Sequence, residues 1–187
     1  MDEINIFKTS IFVTKLNINL KNILNFCYSY KKDTRVLSNL GGTQSSDLNI
    51  NSPELKDLKY NILKSSNEIG KNIFQFNRDL NISNIWFNIN KYKDSNSLHT
   101  HPFSILSGVF YVKTPKNCGE LVFFNPVRIS SFIENLNFNG YNPHNSTDTK
   151  ITPQENILII FPSWLEHYVK PNMSKQDRIS FSFNLKF

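Results

Sequence analysis

Ile157-Leu-Ile-Ile-Phe-Pro-Ser-Trp-Leu-Glu-His-Tyr-Val169 and Asp177-Arg-Ile-Ser-Phe-Ser-Phe-Asn184 together decide the fold. The first stretch reads as a strand that ends in a turn at Pro162-Ser163, with His167 just beyond the turn. The second alternates: Arg178, Ser180, Ser182 and Asn184 share one face, and Ile179, Phe181, Phe183 and Leu185 share the other. Such a strand has two buried faces with different work to do. The apolar face packs under helices, while the polar face must find partners for an arginine. A histidine followed eleven residues later by Arg-x-Ser points to a metal ligand beside a carboxylate clamp.

Working outward, the whole chain has 187 residues, which predicts one domain with a sizeable core. Its hydrophobic content of 39%, with 16 Phe, argues for a folded globular protein rather than a disordered one. The net charge of +6 leans toward an anionic partner or substrate. The basic residues are scattered without a Lys/Arg block, which argues against nucleic-acid binding. Cys27 and Cys118 imply no disulfide framework and suit a reducing cytoplasm. No secretion signal and no apolar run of membrane-spanning length is expected.

The pattern divides residues 1–187, a single domain, into a helical part over 1–80 and an all-β part over 81–187. Residues 9–16 read as a strand, and 19–31 as a helix capped by Asn17 or Asn19. Residues 37–52 read as loop, with Gly41-Gly42 as a turn rather than a phosphate cradle, since no Lys-Ser/Thr follows. Ser52-Pro53-Glu54 opens a second helix whose stripe of Leu55, Leu58, Ile62, Ile69, Ile73 and Phe76 runs to about residue 77. From Ile82 the period becomes two, predicting strands at 82–92, 98–103, 106–113 and 120–124. Residues 128–150 are Asn-rich and weakly patterned, and read as a long lid-like loop. The expected class is α+β, with a sandwich or barrel of short strands carrying the site.

Four histidines are available. His99 and His101 lie two apart in a strand-like stretch and so share a face, and His167 is the natural third ligand from a distant strand. His144 falls in the lid-like loop and reads as a surface residue. A nitrogen set with open positions suits non-haem Fe(II), and neither cysteine has a partner at zinc-finger spacing. A cupin barrel also uses His-x-His but adds a glutamate a few residues on, where this chain has Ser104-Ile-Leu-Ser107. Arg178 can grip a carboxylate bidentately, and the Ser180 hydroxyl on the same face can donate to the same group.

The pattern resembles the 2-oxoglutarate/Fe(II) dioxygenases. Leu98-His-Thr-His-Pro-Phe-Ser-Ile-Leu-Ser-Gly-Val-Phe-Tyr-Val112, Gly119-Glu-Leu-Val-Phe-Phe-Asn-Pro126, Phe161-Pro-Ser-Trp-Leu-Glu-His-Tyr-Val169 and Arg178-Ile-Ser-Phe-Ser-Phe-Asn184 are similar to a 2OG-Fe(II) oxygenase subfamily of bacteria and their phages. Ser38-Asn-Leu-Gly-Gly-Thr-Gln-Ser45 belongs to the same likeness. The resemblance implies a double-stranded β-helix (jelly-roll) core with the N-terminal helices packed on one sheet. It also implies Fe(II) on His99, His101 and His167, and 2-oxoglutarate held by Arg178 and Ser180 with the Tyr111 hydroxyl nearby. The activity implied is hydroxylation of a substrate with release of succinate and CO2. Trp86 and Asn88 share a face and are expected to line the pocket, Trp164 to pack, and Glu166 to stay solvated. In one respect the chain departs from the general signature, which has a carboxylate two residues after the first histidine where this chain has His101. Either the site holds three histidines, or Asp94 or Glu120 supplies the carboxylate, or water or another anion fills the position. The competing readings are a non-catalytic jelly-roll or cupin-like metal- or ligand-binding protein, and a three-histidine dioxygenase that does not use 2-oxoglutarate.

Overall fold

In a computed structural model, which describes residues 2, 4, 6–30, 34–127 and 138–187, the final strand lies at the centre of the larger of two antiparallel sheets. This strand, β12 (Arg178–Lys186), pairs on one side with β5 (Asn81–Asn90) and on the other with β7 (Leu106–Lys113). Beyond β7 come β10 (Ile157–Pro162) and the edge strand β1 (Phe12–Lys15); beyond β5 come β4 (Thr43–Ser45) and β2 (Thr34–Arg35). The second sheet has the order β3 (Asn39–Leu40), β6 (Ser95–His99), β11 (His167–Val169), β8 (Leu121–Phe124), β9 (Asp148–Ile151). From β5 to β12 the strands alternate between the two sheets except at β8 and β9, which pair with each other in the smaller sheet, and this is the double-stranded β-helix.

The two faces of the larger sheet differ: the outer one is apolar, and the inner one adds polar side chains to a smaller apolar cluster. Ile179, Phe181, Phe183 and Leu185 meet Phe87, Phe110 and Leu158 on the outer face, beneath Ile23 and Cys27 of α1 (Leu20–Ser29) and Leu58 and Ile62 of α2 (Lys56–Asn72). A smaller cluster of Val109, Tyr111, Leu121, Phe123, Ile159, Phe161 and Leu165 fills the space between the sheets. Asn19 caps α1, its side chain accepting from the Lys21 amide at 3.1 Å. A 3-10 turn, Pro53–Leu55, leads into α2, with Pro53 where its missing N–H costs nothing; the Ser52 side chain makes no capping bond there. Asn67 fastens α2 to the β5 approach, accepting from the Leu80 amide at 2.6 Å and donating to its carbonyl at 3.1 Å.

Three expectations are corrected. The region read as loop over 37–52 contains β3 and β4, which pair with β6 and β5 across the Gly41-Gly42 turn. Strand β6 occupies Ser95–His99 rather than 98–103, because Pro102 lacks an N–H and holds His101 out of a regular ladder. Within the lid-like segment, 148–151 is strand β9, paired with β8. Residues 128–137 of that segment lie outside the described residues. No helix among the described residues is long and apolar enough to cross a membrane.

Gly108 shows how tightly the helix-covered face is packed. A Cβ there would stand 2.3 Å from Cζ of Phe183 and 2.5 Å from the Ile159 carbonyl. Gly108→Ala therefore costs about 1–3 kcal/mol of stability, the usual range for overpacking. Urea unfolding monitored by circular dichroism checks it; an unchanged midpoint would contradict the packing described.

Candidate metal centre

The site is built where the two sheets converge. His99 ends β6 and His167 begins β11, and the two are direct cross-strand partners. His101 lies just past β6, in a turn bonded to the turn before His167: the His101 amide donates to the Ser163 carbonyl at 2.9 Å, and the Ser163 amide donates to the Ile105 carbonyl at 3.2 Å. The Ser163 hydroxyl also donates to the Ser104 carbonyl. One ligand atom from each of His99, His101 and His167 falls within 4.8 Å of the others.

The rings are oriented for coordination. Nδ1 of His99 donates to the Ser97 carbonyl at 2.7 Å, and Nδ1 of His167 donates to the Leu165 carbonyl at 2.8 Å. Each ring therefore turns a bare Nε2 toward the centre. Nε2 of His101 and Nε2 of His167 are 3.3 Å apart. Two nitrogens bound at about 2.1 Å to one metal in cis positions would be separated by roughly this much. Burial, then the neighbouring rings of His167 and His99, hold His101 at about 3. Burial and His99 hold His167 at about 4, against the opposing pull of the Leu165 carbonyl, and burial lowers His99 as well. All three are neutral at pH 7 and offer lone pairs.

Beside this triad lies a narrow cavity, partly open to solvent, whose lining includes Trp86, Asn88, Tyr111, Arg178, Ser180 and the three histidines. Arg178 is 1% exposed. Its Nη1 donates to the Cys118 carbonyl at 2.5 Å and to the Lys170 carbonyl at 3.1 Å, whereas Nη2 has no partner. No acid pairs with it among the described salt bridges. Ser180 pairs across the sheet with Tyr111 on one side and Asn88 on the other, so the three form one row on the cavity face. Burial pushes the Tyr111 phenol up, and at neutral pH it is an O–H donor.

Residues 84–184, more than half of the chain, match a family described as "Putative 2OG-Fe(II) oxygenase". The chain belongs to this 2OG-Fe(II) oxygenase family. Solved structures with a similar fold include a prolyl-4-hydroxylase from Pseudomonas putida, at 11% identity and a TM-score of 0.67 over 95% of this chain and 92% of that one. HygX from Streptomyces hygroscopicus, solved with nickel and 2-oxoglutarate bound, aligns at 11% identity and a TM-score of 0.65 over 95% of this chain and 82% of that one. The viral collagen prolyl hydroxylase from Paramecium Bursaria Chlorella virus-1, in a 2-oxoglutarate complex, aligns at 14% identity and a TM-score of 0.61 over 94% of each chain. No curated relative matches the sequence. At these identities the structural likeness speaks to the double-stranded β-helix, and the family assignment rests on the match over 84–184.

Within this oxygenase fold, neither acid candidate reaches the histidines. Asp94 closes the β5–β6 turn, its Oδ2 accepting from the Lys91 amide at 2.7 Å under Gly41 and Gly42. Glu120 pairs with Lys170 at 2.6 Å. Trp164, expected to pack, is 55% exposed, while Glu166 and His144 are exposed as expected. Sequence reasoning missed Asn90, the cross-strand partner of Arg178, whose side-chain amide is buried with both polar atoms unpartnered. Its spacing of two from Asn88 was the available signal. It also missed Gly119, whose φ of +87° brings the backbone against Arg178; a Cβ there would lie 2.8 Å from Nη1 and 2.2 Å from the Lys170 carbonyl.

The histidines also set a pH dependence. An unfolded histidine titrates near 6.5, whereas folded His101 and His167 resist protonation until about 3 and 4. Between these limits the unfolded chain binds more protons, so metal-free stability is full above about pH 7 and falls as pH drops toward 4. Thermal scans of the metal-free oxygenase should show a falling midpoint across that window, with a shallower slope for His101→Gln. A pH-independent midpoint would contradict buried neutral rings.

Proposed function

We propose that this oxygenase is an Fe(II)- and 2-oxoglutarate-dependent dioxygenase that hydroxylates its substrate with release of succinate and CO2. The observation that carries the reading is the buried guanidinium of Arg178, with one nitrogen unpartnered, in the same cavity as three converging imidazoles. A buried cation without a counter-ion is expensive. A co-substrate carboxylate received by Arg178 would relieve that cost, which a site for metal alone would not.

His99, His101 and His167 would hold the metal through Nε2. Arg178 would receive the far carboxylate of the co-substrate on Nη2, with the hydroxyls of Ser180 and Tyr111 as donors in the adjoining row. When bound, iron and 2-oxoglutarate supply the oxidising chemistry: the keto acid is decarboxylated as dioxygen is consumed, and one oxygen atom passes to the substrate. The protein's part is to orient and to keep the site dry. Phe161 and Leu121 wall the cavity, and the carbonyls of Cys118 and Lys170 fix the guanidinium from behind. A third neutral imidazole, where a carboxylate is usual, leaves the metal one unit more positive and strengthens its demand for an anionic co-substrate. Both cysteines are free and buried, which supports a reducing compartment such as the cytoplasm of a bacterium or of a phage-infected cell.

Arg178→Ala should raise the 2-oxoglutarate concentration needed for half-maximal succinate formation by about two orders of magnitude, the usual cost of truncating one partner of a buried charge pair. Metal uptake, read by calorimetry, should change little. Gly119→Ala should act in the same direction by displacing the guanidinium. Equal loss of metal and co-substrate binding in Arg178→Ala would sink the assignment of roles.

A further inference from the structure

Every buried side-chain polar atom that lacks a partner among the described residues lies on one stripe of the larger sheet. The atoms are Arg35 Nε, Gln44 Oε1, Asn88 Oδ1, both amide atoms of Asn90, and Arg178 Nη2. Direct pairing puts them in two neighbouring rows: Arg35 opposite Gln44 and Gln44 opposite Asn88 in one, Asn90 opposite Arg178 in the other. Each such group left dry costs about 1–3 kcal/mol. Their confinement to one face marks a surface completed by ligand groups rather than protein groups.

The dioxygenase reading accounts for the Arg178 end of this stripe, where Asn90 and Asn88 adjoin the clamp. It does not account for the other end. There Gln44 is 1% exposed, and Arg35 lies with its guanidinium 5.3 Å from the centre of the Trp86 ring. Trp86 lines the metal cavity, its ring 5.9 Å from that of His101. This end therefore meets the metal cavity through the Trp86 ring.

Charge and geometry define what fits. Arg35 is already paired with Asp47 at 2.7 Å, so a carboxylate finds no uncompensated cation. The pair is net neutral, so an ammonium group gains no counter-charge there either. What remains is one donor, the Arg35 Nε–H, beside one acceptor, Gln44 Oε1, on directly paired residues. A trans peptide bond presents its N–H and C=O on opposite edges. A primary carboxamide or a lactam ring presents both on one edge. We propose that Arg35, Gln44 and Trp86 form the prime-substrate subsite of this oxygenase, and that it takes a neutral planar group with N–H and C=O on the same edge. Its catalytic meaning rests on the dioxygenase reading; its binding chemistry does not.

The test uses protein loaded with Zn(II), which does not turn over, and 2-oxoglutarate. Benzamide and uracil are the neutral probes, with benzoate and benzylamine as charged counterparts. Amide-detected NMR follows the Gln44 side chain and the Trp86 indole N–H, assigned with Gln44→Met and Trp86→Phe. Benzamide or uracil should bind about tenfold more tightly than either charged probe, as one satisfied buried polar pair requires, and should move both resonances. The preference should vanish in Gln44→Met; should that variant not fold, the wild-type resonance shifts decide. Binding of benzamide alone assigns a carboxamide, and of uracil alone a lactam. Equal binding of benzoate or benzylamine, a preference that survives in Gln44→Met, or no binding of either neutral probe overturns the proposal. Uptake of Zn(II) and 2-oxoglutarate in the same samples separates the two readings. Neutral-probe binding without co-substrate uptake sinks the dioxygenase assignment alone, and co-substrate uptake without neutral-probe binding sinks the subsite alone.

Discussion

Strand β12 must be right on both faces at once, and the rest of the molecule follows from that. Phe181 and Phe183 are fully buried toward the helices, while Arg178, 1% exposed, and Ser180, 6% exposed, face the cavity between the sheets. A slip of one residue would send the guanidinium under the helices and the phenylalanines into the metal cavity. The ladder with β7 contains one deliberate break. Ile179 pairs with Lys113 and Ser180 with Tyr111, so Val112 is the extra residue of a bulge. That bulge puts Tyr111 rather than Val112 beside Ser180. It leaves Val112 in the helix-side core and brings the phenol onto the cavity face.

The electrostatics of the cavity are unusually one-sided. Three imidazoles, all held neutral by burial and two of them also by a neighbouring ring, stand near a buried guanidinium, and no carboxylate joins the triad among the described residues. With a divalent metal added, the field of the site becomes strongly positive. An anionic occupant is then required on energetic grounds rather than merely tolerated. The fixed carbonyl dipoles of Cys118 and Lys170 soften the cost for Arg178 but carry no full charge, so they leave that requirement in place.

Much of this was legible in the sequence because it follows strict period-two patterns or fixed spacings. The two faces of β12 and the apolar helix stripe of Leu58 and Ile62 over Phe181 are of this kind, whereas the three-residue strand β11 that begins at His167 and pairs it with His99 read only as the stretch beyond a turn. What was hidden follows from partners distant in sequence. Strands β2, β3 and β4 are two or three residues each, too short for alternation to register, and exist only because β5 and β6 offer them edges. The row Arg35, Gln44, Asn88, Ser180, Tyr111 joins residues from four parts of the chain and has no sequence spacing to announce it. Asp94 and Glu120 were plausible ligands by position alone, and what removed them was a backbone amide and a lysine that spacing does not show. Trp164 was assigned to packing by hydrophobicity, yet the residue that the turn buries beside it is Leu165, 3% exposed.

The replacement of a carboxylate by His101 raises the question of what gathers three neutral rings before any metal arrives, since no opposite charge draws them together. The answer lies in the backbone. Two rings are locked by Nδ1–H bonds to carbonyls two residues away in their own chain, which fixes their rotation without using the coordinating nitrogen. His101 is placed instead by its turn, which Pro102 bends away from β6 and which Ser163, 3% exposed, ties to the turn before His167 through bonds to residues 101, 104 and 105. A single turn-to-turn contact therefore sets the spacing of two of the three ligands. Preorganisation by backbone bonds does here what a charged ligand would do by attraction, and it leaves the metal's charge for the co-substrate to balance.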